Sequence, residues 1–292
     1  MDIIRYKLFA DIVDTGSFTK SGKNMGYTQP SVSHILKALE DEIGFALFVR
    51  TKQGATLTPN AKVILPYVRR LLAVNEQLEQ TINALNGLET GHLTIAAFAS
   101  ISCNWLPRII HAFEKSYPGV EIELMEGGTD EIVSWVENSI ADFGLLSKMH
   151  TESLQWVKLA DDPLMAILPK DYYCAQGPYP ISQMADALFI MSAEGIDYDT
   201  HQALENAGIV PNVHLSCKDD HSIVSMVSSE LGVSILPELV IRDMDYPIQA
   251  LPLEPYATRE LGIAFRSESG LTPAAKQFIQ IIQETLPELM NA

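Results

Sequence analysis

Cysteine is scarce: Cys103, Cys174 and Cys217 are the only three in 292 residues. They are scattered, odd in number and never spaced CxxC. That excludes a disulfide framework or a cysteine zinc site and fits reduced thiols in a reducing compartment. Cys174 and Cys217 lack flanking cations apart from Lys218, so packing is the better reading for both than redox sensing. Long apolar runs are missing too. None approaches the ~18 residues of a membrane span, and the chain opens on amphipathic helix without a basic-then-apolar leader, so a cytoplasmic protein is expected. The seven histidines form no HxxxH or HExxH pair. There is no GxSxG, P-loop or GxGxxG. Nothing calls for a metal or cofactor, and an enzyme reading is weak.

Basic charge is the next shortage: 20 Lys and Arg against 37 Asp and Glu give a net charge of −17. Residues 1–90 hold ten cations and nine anions, residues 91–292 ten and 28. The acidity belongs to the second part, where it serves solubility. The first part is near neutral, so any nucleic-acid contact there depends on placement of charge and on multimers.

What is present begins with a helical pair. A first helix over 3–14, capped by Asp2 and ended by Gly16, shows the stripe Ile4, Leu8, Phe9, Ile12, Val13. A second stretch contributes Phe18 and Met25 to the same core and turns at Gly26. Thr28 then reads as an N-cap through its hydroxyl, with Pro30 in the first turn. From Gln29 to about Ile43, Val32, Ile35, Leu36, Leu39 and Ile43 recur at helical spacing. The opposite face shows Gln29, Ser33, His34 and Lys37, and no acid. That is the pattern of a major-groove reading helix on a brace; alone, it fits an ordinary helical hairpin equally well. Next, Phe48–Arg50 and Ala55–Leu57 flank the turn Thr51-Lys52-Gln53-Gly54, a wing that sets Arg50 and Lys52 beside a duplex backbone.

A long helix is expected from Pro59 to about Leu88. Ile64, Val68, Leu71, Asn75, Leu78, Ile82 and Leu85 alternate spacings of four and three, a heptad seam with one polar position that wants a partner helix. Its residue types alone suggest a parallel pair, and Pro66 should kink or weaken one turn. Gly87 and Gly91 bracket a hinge. Strands and helices then alternate: His92–Phe98, Asn104–Tyr117, Val120–Met125, Asp130–Asn138 and Phe143–Leu146, then a second series starting at Met165–Leu168. The later strands are Leu188–Met191, Val213–Cys217, Val233–Leu236 and Leu261–Phe265, the helices Tyr198–Asn206, Ser222–Leu231 and Pro273–Thr285. This predicts mostly parallel α/β sheets in two lobes, about 91–162 with 268–292 and about 163–267, and a ligand at the carboxyl ends of the strands.

The run Gly16-Ser17-Phe18, Gln29-Pro30-Ser31, Leu39-Glu40, Ile43-Gly44, Leu47-Phe48, Arg50 and Leu57-Thr58 resembles the winged helix-turn-helix of LysR-type transcriptional regulators. The likeness continues in Leu65-Pro66-Tyr67, Phe113, Tyr117-Pro118, Glu126-Gly127, Leu231-Gly232-Val233 and Leu236-Pro237, across essentially the whole chain. It implies a winged helix-turn-helix over 1–58, a linker helix and hinge over 59–90, and a two-lobed periplasmic-binding-protein-like effector domain over 91–292. It also implies homodimers, commonly paired into tetramers, with linker helices antiparallel, on an interrupted inverted repeat of double-stranded DNA near a promoter where RNA polymerase is a further partner. At Ser21-Gly22, where alanines are usual, the chain departs from the pattern. Gly22 should loosen the bracing helix by roughly 1 kcal/mol.

The expected DNA-contacting set is Thr28, Gln29, Pro30, Ser31, Ser33, His34, Lys37, Arg50 and Lys52. For the effector the expected set is Ser100, Ile101 and Ser102 in the loop Ala99–Cys103 before a helix N-terminus that suits anions, Thr129 after Gly127-Gly128, Ser147, Ser192 and His221. The resemblance supports Ser100 and Thr129 most directly; the simpler reading of Ser100 and Ser102 is helix capping. No arginine marks the site, and Lys148 and His221 would balance a carboxylate, so a small polar effector is expected, with an anion among the candidates. The competing function is a two-lobed solute-binding or catalytic protein with an N-terminal assembly module. The acid-free reading face beside a basic wing favours the regulator.

Overall fold

The computed structural model describes the chain except residues 1, 52–53, 87–89, 174–176, 243 and 291–292, and the side chains of residues 50, 51, 54 and 55. Lys52, Gln53, Gly87, Cys174 and the Arg50 side chain therefore lie outside the described residues. The chain divides into two compact units, residues 1–82 with 138–140, and 83–137 with 141–292.

In the first unit, α1 (Ile3–Thr15) is capped by Asp2, whose carboxylate accepts from the Ile4 N–H, and ends on Gly16. Tyr6, Leu8, Phe9, Ala10 and Ile12 are its buried face. Ile4, expected in that stripe, is exposed because the face turns toward Tyr6 instead. Ser17 caps α2 (Phe18–Asn24). α3 (Gln29–Ile43) buries Val32, Leu36 and Leu39 and ends on Gly44. β1 (Phe48–Thr51) and β2 (Gly54–Leu57) pair antiparallel as the wing. α4 (Pro59–Leu85) runs on through Pro66.

The expected looseness at Gly22 is corrected by its packing. Gly22 is buried, and a Cβ there would stand 2.8 Å from the Tyr27 carbonyl oxygen and 3.0 Å from Val32 Cγ2. The Tyr27 N–H donates to the Gly22 carbonyl at 2.7 Å. The missing methyl is what lets α2 sit that close to the turn before α3. Ser21 is buried beside it, its hydroxyl 2.7 Å from that of Thr15.

The second unit runs β3 (Thr90–Ala97), α5 (Ala99–Asn104), α6 (Leu106–Ser116), β4 (Gly119–Glu126), α7 (Thr129–Glu137), β5 (Phe143–Ser147) and β6 (Gln155–Pro169). It continues with β7 (Tyr179–Pro180), β8 (Leu188–Ser192), α8 (Asp199–Asn206), β9 (Asn212–Cys217), α9 (Asp220–Ser228), β10 (Ser234–Pro237), α10 (Glu238–Ile241), β11 (Ile248–Glu254), β12 (Thr258–Phe265) and α11 (Pro273–Met290). The main sheet has the order β4-β3-β5-β12-β6-β11-β7, with β10 also on β6, and β8 pairs β9.

Parallel pairing holds for β3 with β4 and β5, and for β8 with β9. β7 and β11 also pair parallel, but around β6 the expectation of parallel sheets fails: β10, β11 and β12 all lie antiparallel to it. β6 is 15 residues long and passes from one lobe into the other. The first lobe's core gathers Leu93, Ile95, Phe113, Phe143 and Phe278 with Leu261, Ile263 and Phe265 of β12. The second lobe, expected to run to 267, thus gives up β12. Its cores form around Leu164, Phe189 and Ile235, and around Ile190, Ile223 and Leu236. Among the described residues no helix is long and apolar enough to cross a membrane.

Candidate nucleic-acid interface and effector cleft

The reading helix stands on a core of Tyr6, Leu8, Phe9, Ile12, Val32, Leu36, Leu39 and Leu47. Phe48 of the wing joins it edge-on to Phe9 and Phe18, ring centroids 5.6 and 5.4 Å away. Thr28, Gln29, Pro30, His34 and Lys37 are exposed together, with Ser31 and Ser33 partly so. The first turn of α3 holds no acid. Thr28 occupies the cap position, but its hydroxyl accepts from no backbone N–H and lies instead 2.9 Å from the Ser31 hydroxyl. The expected hydroxyl cap is therefore absent, and these two side chains organise each other.

The heptad seam divides. Ile64, Val68 and Leu71 pack into the first unit's own core. Leu78, Ile82 and Leu85 are exposed, and Asn75 bonds Glu79 on its own helix at 2.7 Å. Val63, Tyr67 and Val74 are exposed as well, so the apolar outer stripe of α4 reads Val63, Tyr67, Val74, Leu78, Ile82, Leu85. In its first half it lies one residue before the expected seam, because the winged domain claims the neighbouring face.

In the second unit a cavity of about 420 Å³ opens between the lobes, lined by Phe98, Ser100, Asn104, Asp197, His221 and Arg259 among others. Arg259 corrects the expectation that no arginine marks the site. It is 3% exposed and donates through Nε to Asp162 Oδ2 at 2.9 Å and through Nη2 to Ser100 Oγ at 3.0 Å. Asp197 stands 3.8 Å from Nη1, and the guanidinium lies 5.5 Å over the Phe98 ring. Asp162 also accepts from the Leu239 N–H at 3.0 Å. The arginine is therefore spoken for. The walls carry Glu126, Glu131, Asp197, Asp219 and Asp220 against Lys218, Arg259 and His221, a surplus that weighs against an anionic ligand. Burial, then the charge of Asp197, pushes the Asp220 carboxyl up to about 6. At Asp219 the Ser222 hydroxyl bond pulls the carboxyl down.

Of the expected effector residues, Ser100 and His221 line this cleft. Ile101 is fully buried in the first lobe's core. The loop Ala99–Cys103 is not a loop: it is α5, so Ser100 and Ser102 sit inside a helix, and Phe98 is at its cap. Neither serine caps, and the N–H groups of Ile101 and Ser102 already donate to the Phe98 carbonyl. The helix start expected near Asn104 is therefore at Ala99. Thr129 is buried and donates to the Ile196 carbonyl of the other lobe at 3.1 Å, beside a backbone bond from Asp130 N–H to Gly195 O at 3.2 Å. Gly128 permits this approach, since a Cβ would lie 2.5 Å from the Gly195 oxygen. Tyr198 adds bonds to both Asp130 oxygens at 3.1 and 3.0 Å and stacks on His150 at 3.9 Å. These contacts latch the lobes. Ser147 and Ser192 are buried at their strand ends and lie outside the cleft lining. Lys148 is drawn off to Glu260 at 3.3 Å. Arg259 was missed because its strand begins three residues before the expected one; the trace it left was a lone cation in the alternation Thr258-Arg259-Glu260.

Two family models match. One, a bacterial regulatory helix-turn-helix protein of the lysR family, covers residues 4–62, and the LysR substrate binding domain covers 86–287. The transcriptional regulator YvbU of Bacillus subtilis (strain 168) is 30% identical, over 97% of this chain and 98% of its own. Full-length OxyR C199D from Pseudomonas aeruginosa matches with TM-score 0.78 at 22% identity, covering 98% of this chain and 94% of that one. Full-length CbnR complexed with its target DNA gives 0.67 at 18%, covering 98% and 100%. The effector binding domain of QuiR in complex with shikimate gives 0.61 at 18%, covering 68% and 98%. Joined to a braced reading helix, a wing and a cleft between two α/β lobes, these matches establish that the chain belongs to the LysR family of helix-turn-helix transcriptional regulators, with a DNA-binding and an effector-binding domain.

Proposed function

We propose that Gln29, Ser33 and His34 read base edges while Thr28, Lys37, Arg50 and Lys52 hold phosphates, with Pro30 and Ser31 fixing the first turn of α3. The observation that carries this is the exposed, acid-free start of α3 on a buried brace. The relative solved on its target DNA makes a duplex the natural partner. The operator is an interrupted inverted repeat near a promoter, within reach of RNA polymerase, and the protein works in the cytoplasm. Site selection from random duplexes gives the operator. On it, Lys37→Gln weakens binding evenly across sequences and lowers the salt slope by about 1, whereas Gln29→Ala relaxes preference at one position by ~1–3 kcal/mol. Equal, sequence-independent losses from both would refute the roles.

The dimer forms along the outer stripe of α4, with tetramers as the next level. Leu78→Glu with Ile82→Glu should give monomers in sedimentation and abolish tight operator binding. An unchanged oligomer would move the contact to another surface.

The effector enters the cleft at Ser100, Arg259, Asp197 and His221. It is small and polar, and an anionic one must take Arg259 from Asp162. Binding resets the latch at Thr129 and Ile196 and thereby the promoter response. Ser100→Ala with Thr129→Val should keep operator affinity and lose the inducer response; a double variant that responds normally places the effector elsewhere.

A further inference from the structure

The cleft between the lobes is lopsided in its hydrogen bonds as well as in its charge. Its donors are largely spent. Arg259 gives Nε and Nη2 to Asp162 and Ser100, and Asp197 at 3.8 Å adds a second carboxylate to its charge. Asn104 gives its amide N–H groups to the carbonyls of Ser100 and Leu239 at 2.8 and 3.0 Å. The Gly128 N–H goes to Glu131 at 3.2 Å, and the Gly127 N–H to the Ala97 carbonyl at 3.3 Å. Helix α9 starts at the cleft, but Asp219 already fills the place an anion would take there. It accepts from the Ser222 N–H at 2.9 Å and from the Ser222 hydroxyl at 2.7 Å. Lys218 and His221, the other basic side chains of the lining, are exposed to water.

Acceptors are open instead. Asp220, in the first turn of α9, is partly buried and lines the cleft. Among the described residues its carboxyl makes no hydrogen bond and no ion pair. The side-chain oxygen of Asn104, on the same lining, accepts from nothing either. The oxygens of both side chains stay within reach of solvent. Beside them, Phe98, Ile196, Val240 and Met244 supply apolar surface. A ligand that fits this inventory brings donors and positive charge, and carries an apolar body.

We propose that the effector of this cleft is an organic ammonium ion, its N–H groups donating to the Asp220 carboxylate and its apolar body against Phe98, Val240 and Met244. Asn104 Oδ1 accepts from a further N–H or O–H of the ligand. This rests on the cleft being the effector site, as proposed above, and adds the chemical class and its counter-ion. The charged groups facing Asp220 are Asp197, Arg259, Asp219 and His221. Burial and then Asp197 push its carboxyl up to about 6, as befits a desolvated acid that has no cation of its own. An ammonium binds the ionised form and expels the proton from the remainder. Affinity therefore falls as pH drops through that value. His221, once protonated, repels the ligand in the same direction.

The test uses the full chain and reads occupancy at Cys103, which lines the cleft and is exposed. A ligand seated there slows alkylation of that thiol by iodoacetamide, whatever the ligand's charge, and peptide mass spectrometry follows it. The probes are phenethylamine, tyramine and isopentylamine, each paired with the acid of the same skeleton: 3-phenylpropionate, 3-(4-hydroxyphenyl)propionate and 4-methylpentanoate. The amines stay charged from about pH 5 to about pH 8. An amine should slow Cys103 alkylation saturably, and its acid should not. By calorimetry on the wild-type chain, that amine should bind with proton release at about pH 6 and with none at about pH 8, a reading independent of how any variant folds. Asp220→Asn should weaken it about tenfold or more and remove most of the pH dependence. Glu126→Gln, an exposed charge on the same lining, should weaken it less than about threefold. The ammonium class is overturned if no amine protects Cys103, or if the acids protect it and the amines do not; in the second case the cleft stays the effector site. The role of Asp220 is overturned if its variant keeps the whole pH dependence, which is then that of His221, or if Glu126→Gln costs as much. An amine that binds by calorimetry without protecting Cys103 overturns the cleft itself as the site.

Discussion

Arg5 and Glu42 join α1 to α3 at 3.0 Å with side chains 32% and 38% exposed; Arg259 and Asp162 meet at 2.9 Å with side chains 3% and 6% exposed. The distances match and the settings do not. In the helical unit the polar groups that matter are solvated and offered outward, as a partner as large and charged as a duplex requires. In the α/β unit they are withdrawn from water, as a small ligand requires. A buried pair that loses one member leaves a charge stranded, while an exposed pair is replaced by water.

The largest effect follows directly. Arg259→Gln should cost about 3–5 kcal/mol, since Asp162 and Asp197 lose their cation. Arg5→Gln should cost ~0–1 kcal/mol. All three tryptophans lie in the second unit, so urea unfolding followed by tryptophan fluorescence reads the first variant, and hydrogen exchange of α1 amides reads the second. Comparable losses would erase the distinction between the settings.

The acids sharpen it. Asp199 and Asp220 are raised to about 7 and about 6 by burial and by Asp197. A carboxyl raised on folding binds more protons folded than unfolded. Its stabilising contribution is therefore complete below about pH 4 and is lost as pH rises through 6 to 7. Between these limits the second unit should lose of order 1–3 kcal/mol. Asp199→Asn removes one titrating group, so its difference from the wild type should change over that window. A constant difference from mild acid to neutral pH would show that Asp199 does not titrate there.

The first unit was readable because its information is local: a helical period in Val32, Leu36 and Leu39, a cap at Asp2, a turn at Gly26. The fold of the second was readable as an alternation of β and α, while its cleft was not. Arg259, Asp162, Asp197 and Ser100 are far apart in sequence, and antiparallel pairing of β12 with β6 sets Arg259 opposite Asp162. Periodicity carries no trace of such a pairing. Thr129 was correctly taken to a strand end, but its partner is the Ile196 carbonyl, which no side-chain pattern announces. On α4 the period was right and the face half wrong, because a sequence cannot say which of two adjacent apolar rows its own domain will claim.

Gly22→Ala sets local propensity against packing. Propensity alone predicts a gain of roughly 1 kcal/mol for Ala in a helix. The Tyr27 oxygen at 2.8 Å from the added Cβ forces a shift in the turn before α3, and overpacking of that kind costs about 1–3 kcal/mol. A net loss of about 1 kcal/mol is expected, seen as faster exchange of α2 and α3 amides. A more protected variant would mean that the turn yields and that the glycine is only tolerated.

The smallest effect is at Thr28. Asp2 and Ser17 accept backbone N–H groups at 3.1 and 3.3 Å, and each →Ala should cost about 1 kcal/mol. Thr28 holds the same position on α3 but accepts none. Thr28→Ala should therefore cost less than ~0.5 kcal/mol in stability, below the usual capping value. Its exposed hydroxyl, steadied by Ser31, is spare for a phosphate oxygen. Operator affinity should fall a few-fold at unchanged stability, equally on strong and weak operator variants, because phosphate contacts carry no sequence information. A full capping loss with unaltered operator binding would return Thr28 to a purely structural role and move the phosphate contact elsewhere on the helix.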